Sequence, residues 1–311
     1  MIYQQRSLLF YRFFTTKRKV VQPPQFHNSK PVVSKIFNRP VLKASDSILS
    51  KIINIKASRS WRLKELTFLV EGNKQLIDYL RLGAVPKAFF SKDIKYLTEI
   101  CSHLSHDHSP DLYLLSTSEI RLVSDVTTPQ NVIGLFRFPK SFSEFDKERI
   151  PLSIICDNVR DPNNLSVIIR TAAAVGCQRI VLSEGCCDAW DPKVVRGSAC
   201  GNLICPIHSS VPWSAMRNYI GSASTIHSLT SNNVDDSISH EDLEWSLDTN
   251  EPLALIIGNE GSGLTDEAQQ LSADSGGYNV TIPMTSFIDS LNVATAASIV
   301  MYSLRTKFYL R

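Results

Sequence analysis

The sequence lacks several features that would assign a protein quickly to a class. No stretch reaches about 18 uninterrupted apolar residues, so we expect no membrane span. The seven cysteines are odd in number and show no Cys-x-x-Cys spacing, which indicates neither a disulfide framework nor a zinc site. We therefore expect buried thiols, with Cys156 and Cys177 in apolar surroundings, and no bound metal.

Acidic residues are absent from the first 45 positions, although nine of the 33 basic residues lie there. A basic, hydroxyl-rich segment without acid, with apolar bulk between Leu8 and Phe14, is typical of a mitochondrial presequence. The alternative is a disordered basic tail without a targeting role. The favoured interpretation predicts a protein of the mitochondrial matrix.

The rest of the chain is net acidic, with 24 basic residues against 30 acidic ones. Any nucleic-acid surface in the folded part must therefore be a local patch. The best candidate is a basic cluster whose members are Lys51, Lys56, Arg59, Arg62 and Lys64. A solvated helix face explains that cluster equally well.

Alternating apolar strands and amphipathic helices predict an α/β fold in two domains. Residues 46–140 form a small α/β domain, and the charged, aperiodic residues 141–150 are a linker. In residues 151–311, buried strand patterns such as 152–156 and 253–257 alternate with helices. This alternation predicts a mostly parallel sheet that is covered on both faces.

Three unusual loops follow predicted strands in the second domain, where ligands of open parallel sheets bind. The first, Asp157–Asn164, is polar and leads into a helix that bears Arg170. Taken alone, Asn164 would cap that helix and Arg170 would form a salt bridge. A purely structural role is therefore the simpler explanation of this loop by itself.

The other two loops are rich in glycine or in hydroxyl groups. Gly258–Leu264 matches neither the dinucleotide fingerprint nor the phosphate loop, and it has no lysine for a triphosphate. Ile282–Val293 contains proline and hydroxyls before a long helix, and Ser290 could simply cap that helix.

Taken together and in this order, the three loops resemble the motifs of the SpoU–TrmH branch of the SPOUT methyltransferases. That family reads D-N-x-x-D-P-x-N-x-G-x-x-x-R, then G-x-E-G-x-G-L, then I-P-M-x-x-x-x-x-S-L-N-V. The motifs here are Asp157–Arg170, Gly258–Leu264 and Ile282–Val293. The small domain also resembles the family's RNA-binding domain. Two positions depart from the pattern, because Ser166 and Cys200 stand where the family has glycine.

The resemblance implies an RNA 2′-O-ribose methyltransferase that uses S-adenosylmethionine, folds around a deep trefoil knot and works as a homodimer. The implied cofactor-binding residues act largely through main chain: Gly258, Ile282, Leu291, Asn259, Gly261 and Met284. The implied catalytic group comprises Arg170, Asn164, Glu260, Ser290 and Asn292. The predicted presequence favours mitochondrial ribosomal RNA as the substrate, and the resemblance implies the large-subunit RNA with a guanosine ribose as the target.

Arg170 is the residue expected to face the ribose hydroxyl and its neighbouring phosphate. Because an arginine with a pKa above about 12 rarely deprotonates, we expect it to stabilise charge and to position the substrate, while a phosphate or water takes the proton. Two alternatives stay open: a transfer RNA substrate, and a catalytically silent ribosome-assembly factor with the same fold. The complete set of implied site residues argues against the silent factor.

Overall fold

The computed structural model describes residues 41–105, 107–140, 149–221, 223–229, 237–243, 252–285, 287 and 290–309. These residues form one five-stranded and one seven-stranded sheet. Most of the predicted presequence, most of the predicted linker and most of the polar stretch 231–250 lie outside the described residues. No helix within the described ranges is long and apolar enough to cross a membrane.

The first sheet belongs to the small domain. Its strands are β1 (Leu42–Lys43), β2 (Thr67–Glu71), β3 (Pro86–Ser91), β4 (Asp111–Leu114) and β5 (Val132–Arg137). They lie in the order β1-β4-β3-β5-β2, with β1, β4 and β3 parallel and β5 antiparallel to both of its neighbours. Because β1 pairs with β4, Leu42 and Lys43 belong to the folded domain although we assigned them to the presequence.

Helices cover both faces of this sheet. They are α1 (Asp46–Ala57), α2 (Arg59–Glu65), α3 (Asn73–Arg81), α4 (Ile94–Cys101) and α5 (Thr117–Val123). Alternate residues of a strand point to opposite faces. Along β2, Phe68 therefore packs in one core cluster with Leu76 of α3, and Leu69 packs in the other with Ile52 of α1. This double burial explains why the strands read as continuous apolar runs.

The second sheet is entirely parallel, as predicted. Its strands are β6 (Ile150–Cys156), β7 (Cys177–Ser183), β8 (Ile207–Val211), β9 (Ser224–Leu229), β10 (Ser237–Ser239), β11 (Leu253–Ile257) and β12 (Tyr278–Thr281). They lie in the order β10-β12-β9-β11-β6-β7-β8. Strand β11 is therefore inserted between β6 and β9, both of which precede it in the chain. The trefoil knot stays a prediction.

Helices also cover both faces of the second sheet. They are α6 (Pro162–Val175), α7 (Pro192–Ser198), α8 (Gly201–Ile204), α9 (Arg217–Ile220), α10 (Asp266–Asp274) and α11 (Val293–Tyr309). On one face Ile154 and Leu255 pack in a cluster with residues of α6, α7 and α11, and on the other Ile155 packs with Met216 and Ala268. The α/β fold with a covered parallel sheet is thus confirmed.

The helix caps correct two details of the sequence analysis. Asp161 caps α6, accepting from the Asn163 N–H at 3.0 Å, so Asn164 lies inside the helix and frees its side chain for other contacts. Asn292, not Ser290, caps α11, because its Oδ1 accepts from the N–H groups of Ala294 and Thr295. Asp191 caps α7, with proline following it at the first turn.

Candidate active site

Two of the three motif loops join at the carboxyl ends of adjacent parallel strands. Strands β6 and β11 pair along their length, so the loops that follow them leave the same edge of the sheet side by side. Asn259 in the second loop donates from Nδ2 to the carbonyl oxygen of Asn158 in the first, at 2.9 Å. This cross-link fixes the two loops to each other.

A polar cluster of three side chains unites all three motifs. Asn164 of α6 donates to the Glu260 carboxylate. Asn292 donates from Nδ2 to Asn164 Oδ1 at 2.9 Å and also lies 3.1 Å from Glu260 Oε1. Asn164 is buried, whereas Glu260 and Asn292 are exposed. Three of the five implied catalytic residues therefore lie together, although they come from positions far apart in the sequence.

Asn292 serves both this cluster and its own helix. Its Oδ1 caps α11, and its Nδ2 reaches into the cluster. The rotamer that caps the helix therefore also aims the amide at Asn164 and Glu260. Only asparagine and glutamine carry both a donor and an acceptor at one amide, and only the shorter asparagine is a preferred N-cap.

The glycine-rich loop is a tight turn closed by its own backbone. Asn259 and Gly263 exchange N–H···O bonds of 2.9 and 3.0 Å. A Cβ at Gly258 would lie 2.7 Å from the Gly263 backbone, and Gly263 itself adopts φ +70°, so both positions require glycine. Gly261 differs, because it is exposed and a Cβ there would meet only Asn259 Oδ1, at 3.6 Å. A side chain at position 261 would therefore point into free space beside the loop.

Main-chain groups around these loops are available to a ligand. Outside the strand ladders, the N–H and C=O groups of Gly258, Ile282 and Leu291 make no hydrogen bond to another described residue. Met284, two residues after Ile282 in the third loop, is half-buried. These unused donors and acceptors fit a cofactor that is held by backbone, as the resemblance implies.

Asp157, the first residue of the first motif, is a functional candidate that the sequence analysis gave no role. It is fully buried, its Oδ2 accepts from the Thr265 N–H at 2.6 Å, and its Oδ1 has no partner among the described residues. Burial raises the pKa of this carboxyl above its ordinary value. It ties the loop after β6 to the start of α10.

Two implied catalytic residues lie apart from the polar cluster. Arg170 is exposed on α6, six residues from Asn164, which corresponds to about 9 Å along a helix. It forms no ion pair with a described residue, so the salt-bridge interpretation is wrong within this part of the chain. Ser290 is also exposed and makes no hydrogen bond to a described residue.

The backbone at Arg170 is held by α8. A Cβ at Gly201 would lie 3.0 Å from the Ile169 carbonyl oxygen and 3.2 Å from Arg170 Cα. Cys200, one of the two departures from the family pattern, stands just before it at φ 70°, in the left-handed region that glycine favours. The turn thus keeps its conformation without glycine at position 200.

The predicted basic cluster is largely committed to internal contacts. Arg62 is buried and donates to Asp188 of the second domain at 2.7 Å and to the carbonyl oxygens of Ile55 and Lys56 at 2.8 Å each. Lys51 pairs with Glu65 at 2.5 Å. Arg62 therefore docks the small domain on the second domain, and the RNA interpretation is wrong for this residue.

The cysteines behave as expected from their context. Cys156 and Cys177 are buried, and burial raises the pKa of both thiols well above the ordinary value. Within the described ranges there is no group of three or more His, Cys, Asp or Glu residues that could hold a metal ion.

The comparisons with known proteins agree with this geometry. Residues 151–302 match the SpoU rRNA Methylase family. The chain is similar to rRNA methyltransferase 3, mitochondrial, of Mus musculus, with 32% identity over 308 residues covering 83% of this chain and 71% of that protein. It is 29% identical over 247 residues to a 23S rRNA guanosine-2′-O-methyltransferase, RlmP, of Bacillus subtilis, covering 78% of this chain and 90% of that protein.

The fold is also similar to that of solved structures. One is the AdoMet-bound rRNA methyltransferase from Sinorhizobium meliloti, with a TM-score of 0.69, 23% identity, and coverage of 88% of this chain and 99% of that one. The likeness spans both the small domain and the parallel sheet.

Proposed function

The chain belongs to the SpoU family of RNA methyltransferases, and from this premise we propose its substrate and reaction. It transfers the methyl group of S-adenosylmethionine to a ribose 2′-hydroxyl of mitochondrial large-subunit ribosomal RNA. The mitochondrial ribosomal RNA methyltransferase among its relatives supports the choice of RNA. The bacterial guanosine-2′-O-methyltransferase supports a guanosine ribose as the target.

The polar cluster of Asn164, Glu260 and Asn292 is the observation that carries the proposal. Loops with only a structural role do not require two amides and a carboxylate from three separate motifs to meet at one edge of the sheet. Glu260 accepts from both asparagines, so its carboxylate is oriented without a cation. An ordered carboxylate and amides beside free backbone groups suit the binding of a ribose and of a cofactor.

The residues present fit the cofactor that the family uses. The main-chain groups of Gly258, Ile282 and Leu291, which make no hydrogen bond to another described residue outside the strand ladders, offer donors and acceptors to an adenine and a methionine moiety, and Asn259, Gly261 and Met284 belong to the same loops. When bound, S-adenosylmethionine supplies an electrophilic methyl group for in-line displacement. The protein's task is to align the ribose oxygen with that methyl group and to stabilise the charge that develops.

Arg170 supplies the positive charge in this proposal. Its exposed guanidinium forms no ion pair with a described residue, so it is available to a ribose oxygen and its neighbouring phosphate, and it remains protonated throughout. A phosphate or water takes the hydroxyl proton. Asn164 and Glu260 orient the ribose, while Ser290 and Asn292 support the hydroxyl and the loop.

A homodimer would explain why Arg170 lies outside the polar cluster. Family members build each site from two chains, so Arg170 would act with the partner's loops. Val167 of α6 and Tyr302 of α11 are apolar or aromatic residues that are 42% and 48% exposed. The two helices pack side by side, with a hydrogen bond between the Thr171 and Ser298 hydroxyls, and so offer a surface to a second chain. Light scattering that gives the mass of a single chain at assay concentration would contradict the dimer.

Methyl incorporation from labelled S-adenosylmethionine tests the reaction. Protein-free ribosomal RNA and transfer RNA from the organelle are offered separately, and the labelled product is mapped for 2′-O-methylribose. We expect incorporation into large-subunit ribosomal RNA alone. Labelled transfer RNA would favour the first alternative, and no incorporation into either RNA would favour the silent assembly factor.

The mitochondrial location is tested separately from catalysis. Fusing residues 1–45 to a fluorescent reporter should direct it to the mitochondrial matrix, because this segment is basic and free of acid. The protein without the first 40 residues should keep its methyl-transfer rate. A reporter that stays in the cytosol would contradict the targeting role.

A further inference from the structure

The amino edge of the second sheet carries a cavity that the proposed reaction does not use. Its volume is about 580 Å³, and it lies where β6, β7 and β8 begin. Ligands of parallel sheets normally bind at the opposite, carboxyl edge. None of the described residues that line it belongs to a motif loop, so this cavity is separate from the site described above.

The lining of the cavity is basic. Its polar members are Arg149, Gln178, Arg179 and His208, and the three other lining residues are apolar. No described residue that lines it is acidic. This concentration of positive charge is notable because the chain after the presequence is net acidic.

The Arg179 guanidinium is held in place by main chain instead of by an acid. Its Nη1 donates to the Tyr219 carbonyl oxygen at 2.7 Å, and no described residue forms an ion pair with it. The guanidinium keeps its positive charge. Its remaining N–H groups form a fork that matches two phosphate oxygens. Arg149 donates to the carbonyl oxygens of Gln178 and Ile204.

His208 adds a flat, neutral ring to the wall. Burial, together with the charge of Arg179, lowers the pKa of this imidazole below its ordinary value, so it is neutral at pH 7. Its ring lies 4.7 Å from the Tyr219 ring. A neutral imidazole can hydrogen-bond a sugar or base without repelling the neighbouring guanidinium.

The cavity also lies close to the small domain. Strand β8 is the edge strand of the sheet, and Arg59 of α2 donates to Ser210 on this strand at 2.7 Å. Ser210 is two residues from His208, about 7 Å along a strand. A polyanion that contacts the small domain at this edge would therefore reach the cavity within a nucleotide or two.

We propose that this cavity binds a backbone phosphate of the RNA substrate, at a nucleotide other than the one that is methylated. The inference rests on the proposed function in that RNA is the substrate, and it adds a second contact outside the three motif loops. The contact would position the RNA and would not touch the reacting atoms.

Arg179→Gln tests the contact, with Arg179→Lys as the charge-retaining variant and Lys193→Gln as the control. Lys193 is an exposed lysine on α7 of the second domain and does not line the cavity. The affinity of the full chain for a labelled, mixed-sequence single-stranded RNA is measured at several salt concentrations. We expect Arg179→Gln to weaken binding about 5-fold and to reduce the salt slope by about one. The affinity of Arg179→Lys should lie between those of Arg179→Gln and the wild type, and Lys193→Gln should match the wild type.

A second variant guards against a folding effect, since Arg179 also donates to Tyr219. Gln178→Glu places a negative charge in the cavity and leaves that bond intact, and it should weaken RNA binding in the same direction. Both variants should raise the KM for RNA while leaving kcat and S-adenosylmethionine affinity unchanged. Unchanged RNA affinity and salt slope in both variants would overturn the inference while leaving the proposed function standing. A wild-type chain that neither binds nor methylates RNA would overturn both.

Discussion

Ser166 on α6 occupies the space that a side chain at Gly197 on α7 would need. A Cβ at position 197 would lie 2.6 Å from Ser166 Cβ and closer still to its hydroxyl. That hydroxyl donates to the Asn163 carbonyl oxygen at 2.7 Å, which holds it in this direction. The serine that replaces the family glycine is therefore accommodated by the glycine on the facing helix.

The first prediction follows from this shared volume. Gly197→Ala should destabilise the protein by about 1–3 kcal/mol through overpacking, although alanine is the better helix former. In a Ser166→Gly background the same change should be neutral or stabilising. Denaturant unfolding of the four proteins measures the coupling, and strictly additive free energies would contradict the packing argument.

Arg170→Ala should reduce the methyl-transfer rate by about 10²-fold or more, the typical loss when one charge-stabilising group is removed. Because Arg170 is exposed and unpaired within the described residues, melting temperature and S-adenosylmethionine affinity should hardly change. Arg170→Lys should restore activity only in part, since a point charge lacks the planar fork. A folded, cofactor-binding Arg170→Ala protein with near-normal single-turnover rate would refute the assignment.

Two glycines of one loop should respond differently to substitution. Gly258→Ala should unfold the turn and lower the melting temperature, because its Cβ would collide with the Gly263 backbone. Gly261→Val should leave the fold nearly intact and abolish S-adenosylmethionine binding, because the new side chain occupies open space where backbone meets the cofactor. Calorimetry on both variants measures the melting temperature and the affinity for S-adenosylmethionine. An unchanged cofactor affinity in Gly261→Val would show that the cofactor does not bind at this residue.

The buried contact of Arg62 should matter far more than a surface ion pair of the same domain. Arg62→Ala leaves Asp188 without its partner and should cost about 3–5 kcal/mol of stability. The control Lys51→Ala, from a partly exposed pair with Glu65, should cost at most about 1 kcal/mol. Similar losses for the two variants in thermal unfolding would argue against Arg62 as the docking residue.

Asp157 gives the protein a predictable response to pH. Because burial raises its folded pKa, the folded state binds more protons than the unfolded state, and this group's contribution to stability falls as pH rises from about 4 through the folded pKa. Asp157→Asn removes that loss and can still accept from Thr265. The free energy of unfolding of the variant minus that of the wild type should therefore be more positive at pH 7 than at pH 4. A stability difference that is independent of pH would contradict this prediction.

The strands could be predicted for a physical reason, because apolar runs such as Leu253–Ile257 are visible in the sequence. Asn164, Glu260 and Asn292 were implied as site residues by the resemblance of the three motifs, and the structure brings their side chains together. Prediction failed where the outcome depends on tertiary contacts. Nothing in a basic helix marks Arg62 as the residue that meets Asp188, and both Asp161 and Asn164 are residue types that cap helices.

The position of β11 has a consequence for the order in which the chain can assemble. This strand pairs with both β6 and β9, yet it is made after both of them. Until it arrives, β6 keeps one unpaired edge and β9 has no partner at all, because its other neighbour, β12, also follows β11 in the chain. Unpaired strand edges can associate wrongly, and pairings between distant segments form slowly. The five-stranded sheet of the small domain does not contain β11, so only the second sheet has to wait for Leu253–Ile257 before it can close.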